Sequence, residues 1–188
     1  MVGTVFIITG CGKKEDSISE KEYLSGEYNI EIEIEEYGTI KGILDADNAP
    51  ITVTNFVKLV DEGFYDGLTF HRIITDFMIQ GGDPEGNGTG GADETITGEF
   101  QSNGITNSQS HTRGALSMAR SQDKDSGSSQ FFIVHQDSTF LDGEYATFGY
   151  VTEGMEIVDQ ICENTTVLDG NGTVDPSNQP VITSIKVV

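Results

Sequence analysis

A chain of 188 residues, 36% hydrophobic and 22% charged, is long enough for one ordinary domain and a tail; it is too apolar for a disordered polymer and too polar for a membrane bundle. Ten Lys and Arg face 31 Asp and Glu, a formal net charge of -21. Such a chain repels phosphate backbones and anionic lipid, so nucleic acid is not an expected partner and charge cannot hold it to a membrane. Two cysteines are too few for a disulfide scaffold, and 23 glycines point to many turns.

Residues 2–9 read V-G-T-V-F-I-I-T. This apolar run is far short of the roughly 20 residues that span a bilayer. It ends at Ile8-Thr9-Gly10-Cys11, which resembles the lipobox of bacterial lipoproteins. That resemblance implies a lipidated Cys11 as the mature N-terminus. One part of the pattern is missing, because no Lys or Arg precedes the apolar run. The plainer alternative is a frayed segment with an inert thiol. Residues 1–10 are therefore expected to be a truncated signal segment, 11–26 an acidic flexible tether, and 27–188 the folded domain. The expected location is the outer face of a bacterial cell membrane, facing the periplasm where there are two membranes.

Ile30, Ile32 and Ile34 alternate with Glu31, Glu33 and Glu35, the period of a strand with one buried and one wet face. Tyr37-Gly38 marks a turn, and Thr39 to Leu44 reads as the returning strand of a hairpin. Ala49-Pro50 opens a helix whose Val53, Phe56, Val57 and Val60 share one face, with Gly63 as the stop. Short apolar stretches follow, separated by turn residues: Leu68 to Ile74, Phe77 to Gln80, Ala115 to Met118, Phe131 to Val134, Ala146 to Val151 and Val181 to Val188. Between the last two, Met155, Val158, Ile161 and Cys162 fall at helical spacing, so Cys162 reads as a buried, inert thiol. The rhythm is that of an antiparallel barrel or sandwich with two helices.

Most chemical motifs fail on inspection. Gly86 to Gly91 matches G-x-G-x-x-G but lacks the strand, helix and downstream acid of a dinucleotide site, so it reads as a glycine-rich loop. Asp169 to Asp175 faintly resembles a calcium loop, but Pro180 stands where the bidentate Glu belongs; it reads as a surface turn. His71, His111 and His135 lack metal-ligand spacing, so no metal is expected. One constellation remains: FHRII, FMIQGGDP, GALSMA, SSQFFI and FLDG followed by ATFG. Aromatics with one Arg and two Gln suit a shallow apolar pocket with a few directed hydrogen bonds. Phe70, Phe131 and Phe148 within it read as plain core.

These motifs, in this order and spacing, resemble the cyclophilin-type peptidyl-prolyl isomerases, bacterial branch, from about Tyr28 to Val188. The resemblance implies a mainly β fold: a closed eight-stranded antiparallel barrel capped by two α-helices, with a groove on one outer face. It implies Arg72 as the catalytic arginine. It implies substrate-binding positions at His71, Phe77, Met78, Gln80, Ala119, Arg120, Gln130, Phe132, Phe140, Leu141 and Tyr145. No cofactor is implied, and the partners are proline-containing polypeptides. Phe140 stands where well-known eukaryotic members have a Trp that contacts cyclosporin, which implies weaker inhibition by that drug. Tyr145 stands where they have a groove His; a Tyr can still pack and donate a hydrogen bond. A monomer is the default expectation. The rival function is a catalytically weak peptide-binding or chaperone module using the same groove.

Overall fold

A computed structural model describes residues 22–188. The expectations for residues 1–21, Cys11 among them, lie outside the described residues. The chain forms β1 (Glu27–Ile34), β2 (Gly38–Asp45), α1 (Pro50–Asp61), β3 (Thr69–Ile74), β4 (Met78–Asp83), β5 (Ala115–Met118), β6 (Phe131–Val134), β7 (Thr147–Glu153), α2 (Met155–Asn164) and β8 (Ile182–Val187). The eight strands make one antiparallel sheet in the order β3-β4-β6-β5-β7-β2-β1-β8. The sheet curls until its two end strands meet. Thr69 pairs with Val181, Phe70 N donates to Pro180 O at 2.9 Å, and Ile182 N donates to Leu68 O at 2.7 Å. A short seam of backbone bonds, not a full ladder, therefore joins β3 to β8.

Period-two alternation fills the interior. Ile30, Ile32 and Ile34 are buried while Glu33 and Glu35 face solvent. Phe70, Phe131 and Phe148 are wholly buried, as their apolar setting implies. Helix α1 lays Val53, Phe56, Leu59 and Val60 into this core, and the Phe56 ring lies 5.0–5.4 Å from Tyr65, Phe131 and Phe148. Val57, at the edge of that stripe, is only half-buried. The start of α1 is held by buried Glu99, whose carboxylate accepts from Ile51 N (3.0 Å), Thr52 N (2.8 Å) and Thr52 Oγ1 (2.6 Å). A carboxylate there meets both the unpaired N–H groups and the positive end of the helix dipole. Cys162 is buried in α2, and burial pushes its thiol up to about 12, which keeps it unreactive.

The same alternation sends every second residue outward. Along β6, Phe131 and Ile133 face the core, while Phe132 and Val134 face out. There, Met78, Ala115, Phe132 and Val134 form a second apolar cluster, flanked by Phe77, Ala119, Leu141 and Tyr145. This outer patch is the floor of the groove.

Candidate active site

The groove encloses about 400 Å³ over β3, β4 and β6. Its lining brings together His71, Arg72, Phe77, Met78, Gln80, Ala119, Arg120, Phe132, Leu141 and Tyr145. Two residues expected with them stand aside. Gln130 faces an adjoining depression of about 220 Å³ that shares Gln80, Ala119 and Arg120 with the groove. Phe140 stands at the rim, 73% exposed, its ring 5.7 Å from that of Phe77.

Arg72 is placed by register. It pairs with Gln80 across β3 and β4, and Gln80 pairs with Phe132 across β4 and β6, so the three side chains share one face. The register slips between Phe70 and Arg72, leaving His71 as the extra residue of a bulge that re-aims the strand. The guanidinium is held from two directions. Arg72 Nε donates to Asn171 O at 2.8 Å, and Nη1 donates to Gln80 Oε1 at 3.1 Å. Gln80 Nε2 in turn donates to Gln130 Oε1 (2.9 Å), and Gln130 Nε2 donates to Gly90 O (2.7 Å). Gln80 thus holds Arg72 on one side and is itself held by Gln130 on the other. The other guanidinium N–H groups have no hydrogen-bond partner among the described residues. Burial lowers the Arg72 pKa, and Tyr145 and Asp169 partly offset this. A guanidinium starts so high that it stays charged.

The apolar wall is held from behind by His111, which is wholly buried. It bonds Asp142 Oδ1 through Nδ1 (2.8 Å) and Ser117 Oγ through Nε2 (2.9 Å), and it stacks on Phe132 with centroids 6.0 Å apart. Burial pulls its pKa down, and the bond to Asp142 only partly counters this. His71 is also buried, and neither ring nitrogen has a partner among the described residues. Burial lowers its pKa too; Asp83 opposes the shift and Arg72 reinforces it. Both rings are thus neutral at pH 7.

Arg120 is committed within the protein. Its Nε donates to Glu144 O at 3.0 Å and its Nη1 to Ser121 O at 2.9 Å, and the guanidinium lies over the rings of Phe100 (5.1 Å) and Tyr145 (4.7 Å). It braces Tyr145, which packs edge-on against Phe132.

Two segments contribute more than the sequence indicated. Gly86, Asn87 and Gly88 line the groove, in a turn organised by Asp83, which accepts from the backbone N–H of Glu85, Asn87 and Gly88. The stretch expected to be a mere surface turn at Asp169 to Asp175 also lines it, and supplies the carbonyl that holds Arg72. The reason is edge pairing on β3: Ile73 N donates to Gly172 O (2.8 Å) and Val174 N donates to His71 O (3.0 Å). Asn171-Gly172 between Val167 and Val174 is a hairpin signal that could have indicated this.

Among the described residues no three His, Cys, Asp or Glu side chains gather as a metal site, and no helix is long and apolar enough to cross a membrane.

The family described as "Cyclophilin type peptidyl-prolyl cis-trans isomerase/CLD" matches residues 29–187. The chain belongs to this family. It is 51% identical over 123 residues to peptidyl-prolyl cis-trans isomerase B of Bacillus subtilis, covering 65% of this chain and 82% of that one. It is 42% identical over 156 residues to peptidyl-prolyl cis-trans isomerase A of Dickeya dadantii, covering 80% of each. A crystal structure of a Cryptosporidium parvum cyclophilin superposes with a TM-score of 0.76 at 30% identity, covering 87% of this chain and 98% of that one. The same protein in the presence of the dipeptide Ala-Pro superposes at 0.74 and 31% identity, covering 85% and 98%. As a member of this family the chain is a peptidyl-prolyl cis-trans isomerase.

Proposed function

We propose that this isomerase works by stabilising the twisted X-Pro bond with Arg72 above an apolar proline pocket. An X-Pro bond turns over in tens to hundreds of seconds because amide resonance sets a barrier of ~20 kcal/mol. No bond is made or broken. In the twisted state resonance is lost, and the prolyl nitrogen becomes pyramidal and gains a lone pair. A guanidinium N–H of Arg72 donates to that lone pair, an interaction absent from both planar ground states, which is what a catalyst requires. Phe77, Met78, Phe132 and Leu141 grip the ring by apolar contact. A 10⁵-fold acceleration needs about 7 kcal/mol. One charge-assisted hydrogen bond supplies about 1.5–3 kcal/mol, so desolvation and clamping of the peptide supply the rest.

The observation that carries this mechanism is the fork of Arg72 over that pocket, with N–H groups to spare. Its test is cis/trans exchange of an Ala-Pro peptide by the wild type and Arg72→Ala. A steep loss in the variant supports the mechanism, and an unchanged rate overturns it while leaving the activity. Peptide binding without exchange in the wild type would favour the binding-module alternative.

The same proposal extends to the cell. The chain acts as a monomer on exported proline-containing polypeptides, tethered through lipid on Cys11 to the outer face of the cell membrane. The lipobox-like Ile8-Thr9-Gly10-Cys11 supports this. Cys11→Ala should release the protein from the membrane fraction, and an unchanged fraction would sink the anchor.

A further inference from the structure

Large apolar side chains left exposed among the described residues are Tyr23, Phe140, Val167, Leu168 and Val188. Tyr23 and Val188 lie near the ends of the described chain. Each of the other three either lines the groove or adjoins a residue that does. Leu168 lines the groove, Val167 precedes it, and Phe140 packs on Phe77 of the groove wall. Leu168 is 62% exposed in a chain whose formal net charge is -21, where polar residues are plentiful enough to cover such a position.

Leu168 is presented rigidly. Val167 pairs with Val174, and Leu168 N donates to Thr173 O at 2.7 Å, closing a hairpin over 167–174. The hairpin is tied to β3 by the bonds from Ile73 and Val174 and by the pairing of Arg72 with Thr173. Asp169 is the hairpin's charged residue, and its carboxylate is already engaged. It accepts from Asn171 N (2.9 Å), Thr173 N (3.2 Å) and Thr173 Oγ1 (2.9 Å). The hairpin's apolar offering to a passing peptide is Leu168, while the ionised Asp169 carboxylate is turned to donors of its own loop.

We infer that the 167–174 hairpin is a specificity element, in which Leu168 grips a large apolar or aromatic side chain next to the substrate proline. This rests on the isomerase reading and narrows it to prolines with apolar flanks. The hairpin that holds Arg72 through Asn171 O then also reads the substrate, so recognition and chemistry share one support.

The test uses peptides with Phe, Leu, Ala or Glu placed either before or after the proline. Binding and cis/trans exchange are both followed by NMR. At one of the two positions the wild type should favour Phe and Leu over Ala about fivefold in affinity and in kcat/KM. In Leu168→Ser that ratio should fall below about twofold, and in Leu168→Met it should persist. An unchanged Tm in both variants would show the barrel intact. A wild type with no preference at either position, or a preference that survives Leu168→Ser, would overturn the inference. Preferential binding lost in Leu168→Ser, but with no exchange on any peptide, would sink the isomerase mechanism and leave this inference standing.

Discussion

Replacing Arg72 with lysine separates charge from geometry. The variant keeps a positive group over the proline pocket but loses the planar fork. In the wild type, Nε is fixed on Asn171 O at 2.8 Å and Nη1 on Gln80 Oε1 at 3.1 Å, which aims the remaining N–H groups. An ammonium is a point charge on a flexible stem and cannot satisfy both oxygens while also meeting the prolyl nitrogen. The loss should therefore approach one charge-assisted hydrogen bond, about 1.5–3 kcal/mol, or about 10- to 150-fold in rate. It should appear equally in kcat and kcat/KM, because the contact exists only in the twisted state. Peptide affinity should change by less than about twofold, since Phe77, Met78, Phe132 and Leu141 are untouched. NMR exchange spectroscopy on an Ala-Pro peptide measures the rate, and chemical-shift titration measures the affinity. A lysine variant within about threefold of wild type would refute the fork argument and leave charge alone as the agent. A loss confined to affinity would refute the claim that Arg72 acts on the twisted state.

Glu99→Gln removes a charge that faces the start of α1 and turns an amide N–H₂ toward donors; the expected cost is about 1–3 kcal/mol, a Tm lower by roughly 3–10 °C in calorimetry. A Tm within about 1 °C of wild type would refute the capping role. Gly172 has φ +80°, and a Cβ there would strike the Ile73 carbonyl. Gly172→Ala should accordingly loosen the hairpin, move Asn171 O from Arg72 and lower kcat at least about fivefold; an unchanged kcat would count against the hairpin's hold on Arg72. His71 and His111 have lowered pKa values in the fold, chiefly through burial, so below about 6.5 the unfolded chain binds protons that the folded one does not. Their stabilisation is complete above that pH and is lost as pH falls through the window below it, so the urea midpoint should be lower at pH 5.5 than at pH 7.5; a flat or rising midpoint would contradict the sign.

What the sequence disclosed and what it withheld follow from how far each contact reaches along the chain. The Ile30-Ile32-Ile34 alternation and the stripe of α1 are short-range patterns, and each became the element it foretold. The motifs carrying Arg72, Met78, Gln80, Phe132 and Leu141 were legible through their resemblance to a known family; the register of β3, β4 and β6 brings the first four together, and Leu141 joins them from a short 3-10 turn. Phe131-Phe132 was half legible: alternation sends one ring in and one out, but only the assembled sheet reveals that the outward ring also meets an apolar cluster. His111 was read only for metal spacing. Its partner Asp142 lies 31 residues away, and nothing local joins them. Arg72 itself displays both limits. A charge fixed above an apolar pocket needs oxygen partners from two directions, or it swings away into water. One partner, Gln80, is eight residues off and follows from the β3–β4 register. The other, the Asn171 carbonyl, is 99 residues off, delivered only when the chain returns after α2 and adds its hairpin to the edge of β3. A backbone carbonyl has no side-chain signature, so this half of the Arg72 geometry is set by topology and could be found only in the fold.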